Sequence, residues 1–412
     1  MTSAVLVRRA RSRSPPRRFD SSGRTRPPAE EDPAAARDDV ASALPDDMLL
    51  EVFKRCPPPT GVFRCAAVCR RWRRVVSRAG SGTLPAPPRH LGFFRNYGPS
   101  ALPPFVPTAG VALDLGFLPF SHACGAILVD SRGHRLLLRE LGAGFATELK
   151  LLVCNPLDKT FARLPALRID GHVVACCTVA PGQGAEFRVV AVLFGATSPN
   201  FHVLIYSSAS SVWEAATGAL KRRLSLTPHQ GPSVVVGDVV YRLECEDKYI
   251  MAVNTIKMTL SALPVPDAGM LLHTGNNWIA KTEDGRLCFF VIREPLLLLK
   301  WVLEAPGKWT LHEPVALRPL MNPALVGDLH GMKLSAKIAD QLHGCKLVSF
   351  GGFCEGSGTL FFIMADWVVS LDLRSFNMER LWLNDDQCRP LGDVFPYEMV
   401  AWPPAIKDSD IL

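Results

Sequence analysis

Residues 44–56 read Leu44-Pro45-Asp46-Asp47-Met48-Leu49-Leu50-Glu51-Val52-Phe53-Lys54-Arg55-Cys56. Pro45 suits a first helical turn, where its missing N–H costs nothing, and Asp46 and Asp47 suit the positive end of a helix dipole. Leu49, Val52, Phe53 and Cys56 then fall at i, i+3, i+4 and i+7, so the spacing predicts one amphipathic helix. Pro57-Pro58-Pro59 ends it. Thr60 can cap a second helix with Val62, Cys65, Ala66 and Cys69 on one stripe, and Trp72, Val75 and Val76 continue in a third. Gly80 and Gly82, with Pro85, Pro87 and Pro88 behind them, are expected to close the helical region. Three helices in about 40 residues bury too little surface to be secure alone, so a partner should dock onto them.

Upstream, residues 1–37 hold nine arginines against four acids, with almost no large apolar side chains. Such a segment cannot repay the entropy of ordering and is expected to be a disordered basic tail, with a nuclear-import signal, phosphorylation tract or transit peptide as functional readings. The net charge of +7 is therefore mostly local. A basic stripe tracking a phosphate backbone is not evident, and nucleic acid is not an expected partner. Arg70, Arg71, Arg73 and Arg74 around Trp72 read as a solvated face.

Downstream, the period changes to that of short strands and turns, in two alternating types. One is opened by glycine: at Gly125, at Gly184 ahead of 187–194, and at Gly237, Gly285 and Gly358. The other enters and leaves a turn between apolar residues, at 151–164, 203–213, 250–263, 301–309 and 368–381, with Asn155, Ser207, Asn254, Glu304 and Asp372 as turn markers. Each type recurs about every 50 residues, the spacing of propeller blades. Five units are visible. A sixth can be assembled from 89–118 with the C-terminal 394–401, which would close the ring. The long last interval implies an insertion near 314–344 containing a short helix at 333–342.

These readings predict an α+β multidomain chain: a small N-terminal three-helix unit followed by an all-β, propeller-like domain of about six blades. The expected division is a tail at 1–37, the helical unit at 38–80, a linker at 81–88, the β domain at 89–404 and a tail at 405–412. A length of 412 residues, 48% hydrophobic and 21% charged, fits two folded units plus tails. Twelve cysteines without a C-x-x-C pair, and no glycosylation sequon, read as an intracellular protein with reduced thiols. No apolar run approaches the ~18 residues that span a bilayer, and Ala4 to Val7 is too short for a signal-peptide core.

Phosphate loops, nucleophile elbows and paired Cys/His zinc spacings do not occur, so no catalytic residue, metal ligand or cofactor is expected. Gly351-Gly352 and Gly356-x-Gly358 read as a β-turn. Cys65 and Cys69 stand at i, i+4, a spacing open to metal ligation or redox pairing, but their apolar neighbours favour two small buried side chains. Cys176-Cys177 would face opposite sides of a strand. Trp278, Trp367 and Trp402 are expected to pack between blades rather than to line a recognition face.

Taken together, the Leu44-Pro45 start at 44–53, Val62-Phe63-Arg64-Cys65 and Val68-Cys69-Arg70-Arg71-Trp72-Arg73 closely resemble the F-box motif over about 35 residues. Met48 and Cys56 stand where leucine is commoner, and Thr60-Gly61 where a more helical linker is usual. The β region is similar to the F-box-associated regions of plant F-box proteins, where phrases like Val153-Cys154-Asn155-Pro156-Leu157 followed by Leu164-Pro165 recur. The resemblance implies a helical unit that docks onto a Skp-type adaptor, and through it a cullin scaffold and a ubiquitin-conjugating enzyme. By matching position, Leu44, Pro45, Leu49, Val52, Phe53, Val68, Cys69 and Trp72 would form the adaptor-facing and core surface, with Val68 and Cys69 the readiest to serve only the core. The implied function is the non-catalytic substrate receptor of a ubiquitin ligase, in nucleus or cytoplasm, with an unidentified protein substrate. A propeller enzyme, or a nucleic-acid or chromatin binder using the arginine tail, are the alternatives.

Overall fold

The structure, a computed structural model, describes residues 44–56, 60–84, 90–96, 102–108, 112–120, 125–141, 148–168, 174–181, 186–194, 201–217, 233–244, 249–266, 276–293, 296–305, 307–320, 348–364, 367–383 and 394–398. It separates into a helical unit and a β unit, with the break between Pro88 and Arg89. The basic tail at 1–37, the helix expected at 333–342 and Trp402 lie outside the described residues.

Helix α1 (Asp46–Lys54) begins as the spacing predicts, with acids in its first turn and Lys54 in its last. Leu49 and Phe53, one turn apart, are buried. Helix α2 (Thr60–Val68) buries Val62 and Ala66, and helix α3 (Arg70–Thr83) buries Val75 and Val76. The Phe53 and Trp72 rings meet at 5.2 Å. At the start of α3, Cys69 Sγ accepts the Trp72 N–H at 3.5 Å, the place of an N-cap side chain. Arg71 ties α3 to the start of α1 by donating to Asp46 Oδ1 at 2.9 Å and to the Leu44 carbonyl. One expectation fails here: α3 runs through Gly80 and Gly82 to Thr83. Glycine only weakens a helix by about 1 kcal/mol, whereas proline removes a donor and clashes, so the stop falls next to Pro85.

The β unit is a six-bladed propeller. Blades 1 to 5 each comprise a four-stranded antiparallel meander. Blade 1 is Ala126–Arg132, Arg135–Glu140, Leu151–Asn155 and Thr160–Arg163; blade 2 is Val174–Pro181, Phe187–Phe194, Phe201–Ser207 and Val212–Ala215. Blade 3 is Ser233–Val236, Val239–Glu244, Tyr249–Asn254 and Thr259–Pro264. Blade 4 is Asn277–Lys281, Leu287–Arg293, Leu297–Ala305 and Lys308–Leu311, with Val315–Ala316 added beside its third strand. Blade 5 is Val348–Cys354, Thr359–Met364, Trp367–Asp372 and Met378–Leu383. Blade 6 has three strands and joins the two ends of the unit, as the sequence anticipated: Phe105–Pro107, His90–Arg95 and, innermost, the C-terminal Val394–Glu398. Its register sets Phe93 opposite Pro396 and Phe94 opposite Phe395.

Strands buried on both faces explain the near-continuous apolar runs. In blade 4, Leu287, Phe289 and Val291 pack with blade 3, while Cys288, Phe290 and Ile292 pack with blade 5. The period-2 alternation thus feeds two separate cores from one strand. Equivalent clusters fill the gaps between blades 1 and 2, 2 and 3, and 5 and 6. Outer strands are also tied by indoles: Trp213 of blade 2 donates to the Pro165 carbonyl behind blade 1, and Trp309 of blade 4 to the Pro264 carbonyl ending blade 3, both at 2.9 Å. Trp278 packs into the core between blades 4 and 5, and the Arg380 guanidinium lies 3.9 Å over the Trp367 ring.

The turn markers have a shared geometry. Lys159, Ser211, Met258 and Phe376 all adopt positive φ, each four residues after Asn155, Ser207, Asn254 and Asp372 respectively. Asn155, Asn254 and Asp372 each accept backbone N–H groups of the same turn on their side-chain oxygen, an Asx turn that offsets the strained residue. The glycine series needs a correction. Gly237, Gly285 and Gly358 occupy the first hairpin of their blades at positive φ, and their equivalent in blade 1 is Gly133 (φ 59), not Gly125. Gly125 precedes the inner strand instead. Gly184 lies outside the described residues.

Candidate functional site

The helical unit holds the eight residues singled out by the sequence, but in two environments. Leu49 and Phe53 are 1% and 0% exposed and belong to the core. Leu44 and Trp72 are half-buried, while Pro45 and Cys69 are exposed. Val52 and Val68 are 48% and 65% exposed, and so is Met48, at 56%. Val68 and Cys69, the two readiest to serve only the core, are thus both on the surface, just where α2 ends. The expected buried Cys65 and Cys69 pair is likewise not found. Cys69 is exposed, and half-buried Cys65 faces Cys56 instead, with 3.7 Å between the sulfurs. Met48 was overlooked as a surface residue because it sits where the F-box pattern has leucine.

Large exposed aliphatic side chains on so small a unit are the notable surface feature. Each would contribute roughly 1.5–3 kcal/mol if a partner buried it. The surrounding charge is paired: Lys54 and Arg55 contact Glu51, and Arg71 contacts Asp46.

In the propeller, inner strands of blades 1, 3, 4, 5 and 6 line a cavity of about 150 Å³. Charged groups gather on it from distant parts of the chain. Arg132 of blade 1 pairs with Asp130 and with Glu355 of the blade 5 hairpin, and donates to the Ser233 carbonyl of blade 3 at 3.0 Å. Lys281 of blade 4 holds the other Glu355 oxygen at 3.1 Å. Glu398, the last residue of the closing strand, accepts the Gly356 N–H on both carboxylate oxygens at 2.9 and 3.0 Å. No sequence signal marked this cluster, since its members are spread over most of the chain and each resembles an ordinary surface charge.

Burial drives the Glu398 carboxyl up to about 7, with Glu355 adding to the rise and the Gly356 amide and Arg132 opposing it. The folded value exceeds the usual carboxylate value, so between roughly pH 4.5 and 7 the native state holds a proton that the unfolded chain has released. Stability from this group therefore falls as pH rises through that window, by about 3 kcal/mol in all. His90, opposite Glu398 in the register, acts in the opposite sense, because burial lowers its own value and its contribution is lost as pH falls, but it is common to wild type and variant and cancels between them. Glu398→Gln keeps an acceptor for Gly356 without a buried charge. The variant is expected to melt higher than wild type at pH 8 and to match it near pH 5, as thermal denaturation at the two values will show; equal differences at both would refute the assignment.

Among the described residues no helix is long and apolar enough to cross a membrane, and no three metal-ligating side chains converge.

A three-helix unit with exposed aliphatic side chains, preceding a propeller closed by its own C-terminal strand, defines an F-box and β-propeller architecture. Family comparison agrees on both parts. Residues 41–80 match an F-box-like domain, and residues 127–406 match the β-propeller of the family described as F-box protein AT5G49610-like. The chain belongs to that family. No curated protein matches it. Solved structures similar in part include a mitotic checkpoint complex chain (12% identity over 71% of this chain and 70% of that one, TM-score 0.31). A putative 6-phosphogluconolactonase from Bacteroides fragilis NCTC 9343 is 8% identical over 75% of this chain and 98% of its own, with TM-score 0.36.

Proposed function

We propose that this protein is the substrate-recognition subunit of an SCF-type cullin-RING ubiquitin ligase. Its helical unit docks onto a Skp-type adaptor, and its propeller holds a protein substrate without performing chemistry. The carrying observation is the exposure of Met48, Val52 and Val68 on a unit whose own core is limited to a few side chains such as Leu49, Phe53 and Val76. Burying these aliphatics on a partner supplies what the small core lacks. The cullin scaffold follows through the adaptor, and the nucleus or cytoplasm is the compartment where such a ligase works. The receptor acts by proximity, raising the effective concentration of substrate lysines near the transferred ubiquitin.

The test uses surface residues, because Trp72→Ala would also remove the ring against Phe53 and disturb the core. Val52→Glu retains helix propensity, and Val68→Lys suits the negative end of α2. Together they are expected to weaken co-purification with a Skp-type adaptor by about 100-fold or more, from lost burial plus charges placed in an apolar interface, while the melting curve stays unchanged. Undiminished binding by the folded double variant would overturn the proposal.

A further inference from the structure

Helix α1 ends at Lys54 and the chain turns through Cys56, whose N–H donates to the Phe53 carbonyl at 3.1 Å. Helix α2 brings Cys65 back against it, with the sulfurs 3.7 Å apart and both thiols free and half-buried. Cys69, Cys154, Cys288 and Cys354 differ. Cys154, Cys288 and Cys354 are buried in the blades, and burial raises each thiol far above its ordinary range, which leaves them inert. Cys69 is exposed, its sulfur accepting the Trp72 N–H. Cys56 and Cys65 combine sulfur contact with partial access to solvent.

The geometry points to Cys56 and Cys65 as a dithiol–disulfide couple, oxidised by hydrogen peroxide, that reversibly staples α1 to α2. Sulfurs now in van der Waals contact need only close to the bonding distance of about 2.05 Å. In the first step a thiolate attacks a peroxide oxygen; the O–O bond breaks, hydroxide leaves and takes up a proton as water, and a sulfenic acid remains. In the second, the other sulfur attacks the sulfenic sulfur; the S–O bond breaks, and the departing hydroxide takes the thiol proton as a second water. Two sulfurs are oxidised and one peroxide is reduced. A dithiol reductant reverses the bond by exchange. Burial, with the Cys56 contact next, pushes the Cys65 thiol up to about 11. The couple concerns thiols within the helical unit and does not rest on adaptor binding.

The experiment treats reduced full-length protein with hydrogen peroxide, alkylates the remaining thiols and maps the peptides by mass spectrometry without reductant. The expected result is a link between the Cys56 and Cys65 peptides, lighter by two hydrogens and undone by dithiothreitol. Cys69→Ser should keep the link, and Cys56→Ser should leave Cys65 open to alkylation. Peroxide treatment that leaves Cys56 and Cys65 both alkylatable, or a link that runs through Cys69, would overturn the assignment. The wild-type map decides by itself, so a serine variant that fails to fold does not obscure the answer.

Discussion

A chain ending at residue 393 is expected to lose the cooperative unfolding transition of the propeller. The missing segment is the innermost strand of blade 6, paired with His90–Arg95 along its whole length. It contributes Tyr397, which is fully buried with its ring 5.6 Å from Phe94 and its hydroxyl donating to the His134 carbonyl. Ser131 Oγ donates to the Pro396 carbonyl, and Glu398 receives the Gly356 N–H. The strand therefore joins blade 6 to blades 1 and 5. Without it two inner strands lose a neighbour, and the apolar contacts of Val394 with Phe93 and Phe361 are opened to water. A graded version is Tyr397→Ala, for which truncation of a fully buried aromatic costs about 3–5 kcal/mol. Urea denaturation followed by circular dichroism measures both, and a truncated chain with an unchanged midpoint would show that the ring closes by other means.

The second large effect is expected at Arg132. Its guanidinium, largely shielded from solvent, balances Asp130 and Glu355 and bridges three blades through Glu355 and the Ser233 carbonyl. Arg132→Leu removes this guanidinium from both carboxylates and leaves Lys281 beside Glu355. Breaking a buried ion pair from one side costs about 3–5 kcal/mol, because a desolvated charge is left without its partner. Removing Glu355 as well, in Arg132→Leu with Glu355→Leu, is expected to recover part of the loss, since well-packed apolar replacements of a buried pair are often close to neutral. A double variant no more stable than the single one would mean that Arg132 acts through its hydrogen bond to Ser233 and its packing.

Much of the architecture could be read from residue order because it rests on periodicity. The stripe Leu49, Val52, Phe53 gives α1, and the Asn155, Asn254 and Asp372 turns mark blades 1, 3 and 5, since an Asx turn needs a particular side chain at a fixed place. The pairing of 89–118 with 394–401 followed from the need to close a ring. Glycine was the less faithful guide. Gly125 and Gly133 are both compatible with a turn, and only backbone dihedrals distinguish the one that holds the hairpin. On the helical unit, helical spacing identified one stripe but not which of its members a second helix covers: Phe53 is sealed under Trp72 while Val52, one position earlier, is exposed. The cavity cluster was invisible for a different reason. Arg132 and Glu355 are 223 positions apart, and no local pattern encodes a contact of that separation.

The closing strand is also the last of the described strands to be synthesised. Blades 1 to 5 can each assemble from neighbouring sequence as they emerge from the ribosome, yet His90–Arg95, made before any of them, must wait for residues 394–398 to arrive. Translation stalled or terminated within blade 5 would release a ribbon with two unpaired inner edges, the kind of surface that chaperones retain and that drives aggregation. For the same reason a degradation tag or fluorescent fusion is better attached ahead of the helical unit than directly after Glu398, where it would compete with the final step of ring assembly.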